Sequence, residues 1–177
     1  MNRKRKLDVR DIVFIGVLSS MCTIATTIKI PFGVGAMVHL GSAFLYTMGI
    51  IFGGVYAGLA GAIGSGFYDL LMGFSPYTLW SFVIKGIAGL IVGVVAKGLW
   101  PEATASSHGA GKLFVRAFFA CILAALWTLC GYILAWWYVT GSFATALGNI
   151  PSSLMTSGAG LIIALILGPK LRKLLRR

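Results

Sequence analysis

GSGFYDLLMGFSPYTLWSFVIKG, residues 64–86, is the stretch on which the fold turns. Two apolar runs flank Gly73-Phe74-Ser75-Pro76, and each contributes one formal charge, Asp69 before the break and Lys85 after it. Gly followed by Ser-Pro ends one helix and opens another, because Gly adopts turn conformations freely and Pro fits the first helical turn. Outward from this point, Ile30 to Ala96 is almost wholly apolar and Gly-laced, with Asp69 and Lys85 as its only formal charges. A charge at a lipid-exposed helix centre costs roughly 2.5–3.5 kcal/mol on insertion scales. The pair therefore faces protein, either locked together or lining a polar cavity, and the break is the first place to look for function.

The whole chain of 177 residues shares this character, with 58% hydrophobic and 11% charged residues and a mean hydropathy of +0.92. A soluble domain carries about 25% charged residues. The expected fold class is all-α integral membrane, a single membrane domain over residues 1–177 without a soluble catalytic or nucleotide-binding unit. The net charge of +11 sits mainly at the two ends: Arg3, Lys4, Arg5, Lys6 and Arg10 open the chain, and Lys170, Arg172, Lys173, Arg176 and Arg177 close it. Basic clusters beside apolar spans anchor on anionic lipid headgroups, so membrane lipid rather than nucleic acid is the expected partner. The first apolar segment lacks a cleavage signal and is followed by further spans, which reads as a retained helix.

Six segments are long and apolar enough to be spans, roughly 11–29, 37–53, 54–72, 76–97, 113–139 and 147–168, separated at Pro31-Phe32-Gly33, Gly53-Gly54, Gly73 to Pro76, residues 98–112, and Gly141-Ser142. With both termini cytoplasmic, thirteen of the fifteen basic residues fall inside, including Lys97, Lys112 and Arg116, which favours six crossings. The segments 1–10, 98–112 and 169–177 are then a basic N-terminus, a linker and a basic C-terminus, all cytoplasmic. Cys22, Cys121 and Cys130 lie inside apolar stretches without a CxxC pattern and read as buried small hydrophobes.

The second, fourth and sixth spans begin on the outer side, where unpaired N–H groups favour electron-rich ligand atoms. Ser75 reads as the cap of the fourth span, and Asn149, before Ile150-Pro151, as the cap of the sixth or a ligand contact. Lys85 lies nine residues beyond Pro76, roughly 13 Å along a helix, an offset that a lysine side chain bridges in large part. Tyr68, Tyr77 and Trp80 flank the break, and Tyr132 and Trp136 stand four apart in the fifth span. Aromatics at an interface form belts, but a cluster converging on a charged break also stacks a flat ring. The loop Pro31 to Gly35 reads as a lid, with His39 after it as a structural or ligand-contacting residue at the start of the second span, and Lys29 before it as an interface anchor. Gly54, Gly58, Ala62 and Gly66 form a small-residue row for close helix packing; Gly16 and Ser20 in the first span form a shorter one that suits packing or a partner protein.

Catalysis finds little support. Ser65, His39 and His108 form no recognisable dyad pattern, and Asp69 is the one acidic residue well inside the membrane, against any paired-carboxylate or metal mechanism. No cofactor or metal is expected.

Val38-His39-Leu40-Gly41, Gly53-Gly54-Val55-Tyr56-Ala57-Gly58, Gly64 through Gly73, Ile84-Lys85-Gly86 and Gly89-x-x-x-Gly93 follow one another in an order that resembles the S components of energy-coupling factor (ECF) vitamin transporters. The resemblance covers most of residues 11–97 and, beyond that, the topology; it is nearest to the riboflavin-type group that includes hydroxymethylpyrimidine and pyridoxine proteins. It implies an outer-leaflet pocket under the lid, a transmembrane T component docking on small residues, and two cytoplasmic ATPases as separate chains. The family's docking signature is Ala-x-x-x-Ala, and the nearest match is Gly16-x-x-x-Ser20. On this reading, His39, Asp69, Tyr77, Trp80, Lys85, Tyr132, Trp136 and Asn149 bind a small heteroaromatic vitamin or precursor, in the cell membrane of a bacterium. A ligand-free membrane scaffold, with Asp69 and Lys85 as a structural ion pair, and a stand-alone secondary carrier are the alternatives.

Overall fold

The computed structural model describes residues 7–32, 36–100 and 110–174; residues 1–6 with four of the N-terminal basic residues, part of the lid, the middle of the linker with His108, and residues 175–177 with Arg176 and Arg177 fall outside them. The described chain runs α1 (Val9–Thr27), β1 (Lys29–Phe32), β2 (Ala36–His39), α2 (Gly41–Phe52), α3 (Gly54–Leu71), a 3-10 turn (Ser75–Tyr77), α4 (Thr78–Ala96), α5 (Ala110–Thr140), α6 (Phe143–Gly148) and α7 (Ile150–Leu174). Asp8 caps α1 in a reciprocal box: its carboxylate accepts from Val9 N, and its own N–H donates to Asp11 Oδ2 at 3.1 Å. Asp11 is buried and also accepts from the Tyr56 hydroxyl of α3, so a second acid is sequestered at this end of the bundle.

At the centre stands α2, with ten of its twelve residues buried, packed against α7 and α4. Its length of about 18 Å is short of the ~30 Å hydrocarbon core. Gly53, at φ +90°, ends α2 and starts α3 with no further loop; only Gly holds that backbone without strain. The first N–H groups of α3 are taken up by the chain that follows α4, Gly54 N to Gly98 O and Val55 N to Leu99 O, both at 3.0 Å. This satisfies donors a helix start leaves open.

The small-residue row of α3 packs within the bundle, as its spacing suggests. A Cβ on Gly58 would lie 3.2 Å from Gly86 O of α4, one on Gly61 2.8 Å from Lys85 O, and one on Gly93 would overlap the backbone of Gly53 and Gly54. Lipid supplies no hydrophobic force between helices, so such close backbone approach is what binds them.

Several expectations need correction. The chain is nearly all-helical rather than all-α, because Lys29–Phe32 and Ala36–His39 pair as antiparallel strands with Lys29 opposite His39. The second helix begins at Gly41, and His39 lies on the second strand rather than at a helix start. Among the described residues, four segments, Val9–Thr27, Ser75–Ala96, Gly111–Thr140 and Phe143–Arg172, are by length and composition apolar enough to cross a membrane, and α2 and α3 stand beside them as further apolar helices of the bundle. The short α6 precedes the last long helix, which starts at Ile150. Ser75 caps nothing: it opens the 3-10 turn. Cys22 and Cys121 are buried, but Cys130 is exposed on α5.

Gly93→Val is expected to lower the unfolding midpoint in detergent strongly, by at least the ~1–3 kcal/mol of overpacking, since the clash is with backbone. Gly16→Ala, where a Cβ meets nothing within 4 Å, is expected to leave the midpoint unchanged.

Candidate substrate-binding site

Four helices and the hairpin each turn polar residues toward one end of the bundle. On α3, Ser65, Tyr68 and Asp69 share a face; on α4, Ser81 and Lys85 are one turn apart; on α5, Thr128, Tyr132 and Trp136 recur every fourth residue; on α7, Ser153 and Ser157 follow Asn149 at the same interval. Together with Lys29 and His39 of the hairpin they line a cavity of about 270 Å³. The turn after α3 closes on Asp69, whose carbonyl accepts from Phe74 N at 2.8 Å, with Gly73 at φ +75° making the reversal.

Lys85, 5% exposed, donates to Ser42 Oγ in the first turn of α2 at 2.9 Å and stands 5.5 Å from the Tyr132 ring centre. Asp69 is 8% exposed, and its Oδ2 is buried with no hydrogen-bond partner. The cation is thus anchored on α2, and the carboxylate faces the cavity with an acceptor to spare. Ser81 Oγ and the Tyr132 hydroxyl are 3.1 Å apart, and Trp127 Nε1 donates to Ile84 O at 3.0 Å, fixing α5 beside the lysine. Tyr77 and Trp136 lie 5.0 Å apart at 43° and form an aromatic wall. Lys29 sits over the rings of Tyr68 and Phe74, 5.4 and 5.8 Å from their centres, which ties the hairpin to the end of α3. It also lines the cavity. His39, in the hairpin, is neutral: burial, then the Lys85 and Lys29 charges, bring its pKa down to about 3. Its Nδ1 is buried without a partner.

Seven of the eight residues singled out from sequence, His39, Asp69, Tyr77, Lys85, Tyr132, Trp136 and Asn149, are on this wall. Trp80 is not; it packs against Tyr138, 5.8 Å between centres, on the outside of α4 and α5. Asn149 ends α6, and its side-chain amide donates to Ser153 Oγ at 3.4 Å instead of capping α7. Sequence reading missed Thr128, Ser81, Ser153 and Ser157, although each lies at a multiple of four residues from a residue it had chosen. It also missed Ser42, which no spacing connects to Lys85.

A membrane-embedded helical bundle with a small, buried, polar and aromatic cavity at one end defines a substrate-binding membrane subunit. A family model described as ECF-type riboflavin transporter, S component, matches residues 6–173, and the chain belongs to that family. This is a family of transporter subunits, not of enzymes. Among curated proteins, an "uncharacterized protein in gap 3'region" of Pyrococcus woesei is 26% identical over 154 residues, 87% of this chain and 94% of that protein. A UPF0397 protein of Lactiplantibacillus plantarum is 31% identical over 56% of this chain and 54% of its own length, and one of an Exiguobacterium species 37% identical over 38% and 37%. Among solved structures, ThiT from Listeria monocytogenes superposes with a TM-score of 0.58 at 16% identity, over 94% of this chain and 93% of that one, which is a likeness of fold.

Removing the Asp69 charge separates its role from that of its neighbour. Asp69→Asn is expected to leave the unfolding midpoint equal or higher, while Ser42→Ala lowers it through a stability loss of about 1–3 kcal/mol because it takes a partner from a buried ammonium. Thermal unfolding of both variants in the same detergent checks this, and a large loss in Asp69→Asn would mean that the carboxylate is structural.

Proposed function

We propose that this chain captures a small heteroaromatic vitamin or precursor, with hydroxymethylpyrimidine and pyridoxine favoured, as the S component of an ATP-driven ECF importer. It does so as one six-helix domain in a bacterial cell membrane, with termini and the 98–112 linker cytoplasmic. The cavity carries the proposal: an acid, a lysine, a neutral imidazole and aromatic faces converge in about 270 Å³, below the ~300–1,000 Å³ usual for ligand pockets. That volume favours a one-ring solute over the three-ring flavin in the family's name. His39, Asp69, Tyr77, Lys85, Tyr132, Trp136 and Asn149 contact the solute, and Trp80 stiffens the wall from outside.

Delivery needs partners, a transmembrane T component and through it two ATPases. The exposed face of α1 suits the first of these: Gly16 and Ser20 are exposed beside Val13, Val17 and Ile24, and Ser20 Oγ is satisfied internally by Gly16 O at 3.0 Å. The face is therefore flat, apolar and without an unmet hydroxyl.

Titration of the purified protein with pyridoxine, hydroxymethylpyrimidine, thiamine and riboflavin, followed by tryptophan fluorescence, is expected to show saturable quenching through Trp136 by a one-ring compound and weaker or no binding of riboflavin. Silence with all four compounds would refute the substrate assignment. Affinity purification from membranes is expected to bring down a T component and two ATPases, and replacing Gly16 and Ser20 together by Leu to remove them while solute binding persists.

A further inference from the structure

The cavity wall has hydrogen-bonding capacity that the protein does not use, and its pattern is specific. Asp69 Oδ2 is buried, unpartnered and acceptor-only as a carboxylate. Lys85 has three ammonium protons, and Ser42 Oγ takes one. Thr128, 2% exposed and one turn from Tyr132 along α5, has a buried hydroxyl without a partner. Buried polar atoms are nearly always satisfied, so these open positions describe the molecule that fills them. The occupant must bring a donor to Asp69 and an electron-rich oxygen to Lys85, on a frame flat enough to lie along Tyr77 and Trp136.

The geometry points to a hydroxypyridine held as its zwitterion, with the ring N–H donating to Asp69 Oδ2 and the ring-bound oxygen accepting from Lys85 Nζ. This rests on reading the cavity as the substrate site, and it chooses between the two solutes that reading leaves. A ring hydroxyl separated from a basic ring nitrogen by one further ring carbon passes its proton to that nitrogen, leaving an anionic oxygen and a cationic N–H with no change in net charge. One small ring then answers an acid and an ammonium at once, and both hydrogen bonds are charge-assisted. An aminopyrimidine has N–H donors for Asp69 but no anionic oxygen for Lys85. The hydroxyl of Thr128 is left for a hydroxymethyl arm.

The test uses the full-length protein in detergent with four probes: pyridoxine, its analogue with hydrogen in place of the ring hydroxyl, its ring-N-methyl derivative, and hydroxymethylpyrimidine. Pyridoxine is expected to bind tightest, and each single change to its ring to weaken binding roughly 10- to 100-fold, as expected for a lost hydrogen bond to a charged group. In Lys85→Met the penalty for losing the ring hydroxyl is expected to vanish while that for N-methylation stays; Asp69→Asn is expected to show the reverse. Bound pyridoxine is expected to absorb at the longer wavelength of its zwitterion, a readout independent of affinity. Equal or tighter binding of hydroxymethylpyrimidine, or an unchanged affinity without the ring hydroxyl, overturns this inference while leaving solute capture intact. Failure of every one-ring probe to bind a protein with a normal melting curve overturns both.

Discussion

The close backbone seam between α3 and α4 is the constraint on which the rest of the structure depends. Gly58 against Gly86 and Gly61 against the carbonyl of Lys85 set the register of the two helices to within a side chain. No apolar solvent-driven force holds helices together in lipid, so this contact is made by van der Waals packing that only small residues permit. The Gly61 contact falls at the residue that carries the buried cation, so the seam that binds the two helices also positions Lys85. Asp69, two turns along α3 from Gly61, is placed by the same register. On its other side α4 meets α5, where Ile84 packs on Gly131 and accepts a hydrogen bond from Trp127, which brings Tyr132 to the lysine.

The second constraint is the short central helix. Because α2 is short, its first turn lies deep in the bundle, and Lys29 and His39 of the β1–β2 hairpin line the same cavity as Lys85. Ser42, in the first turn of that recessed helix, reaches Lys85. The opposite charges that the sequence presents as an energetic problem are thus held differently, Lys85 by Ser42 of α2 while one carboxylate oxygen of Asp69 is left without a partner. Splitting a buried pair is unfavourable unless something completes it, because a buried charge without a partner costs several kcal/mol.

How much of this was legible follows the kind of signal each residue carries. The Gly53 and Gly73 breaks were readable because a positive φ demands Gly, and the α3 row because four-residue spacing of small side chains has few other uses. The hairpin was not: strands of four residues are too short to display alternation, and Ala36 to His39 runs without a break into the apolar pattern of α2. Ser42, Ser81 and Thr128 were hidden for a different reason. Serine and threonine inside helices commonly bond the carbonyl four residues back, as Ser19, Thr26 and Thr47 do here, so a lone hydroxyl carries no sign of a site. Trp80 shows the converse limit: aromatic spacing places a residue near a cavity but does not say on which side of its helix the ring falls.

The other half of the bundle bears on how a captured solute leaves. Below the cavity, Leu45, Tyr46, Ile50, Ala57, Ala88, Val92, Ala120, Cys121, Ala124 and Ala164 form one packed core of buried residues. The small side chains among them bring helices so close that a path through this half requires backbones to separate, not merely side chains to rotate. The α3–α4 seam resists that separation, since its contacts are backbone to backbone. The hairpin, by contrast, is two strands of four residues tied to the bundle mainly through Lys29 over two rings and the packing of β2 on α7. The hairpin side is therefore the energetically easier one to open.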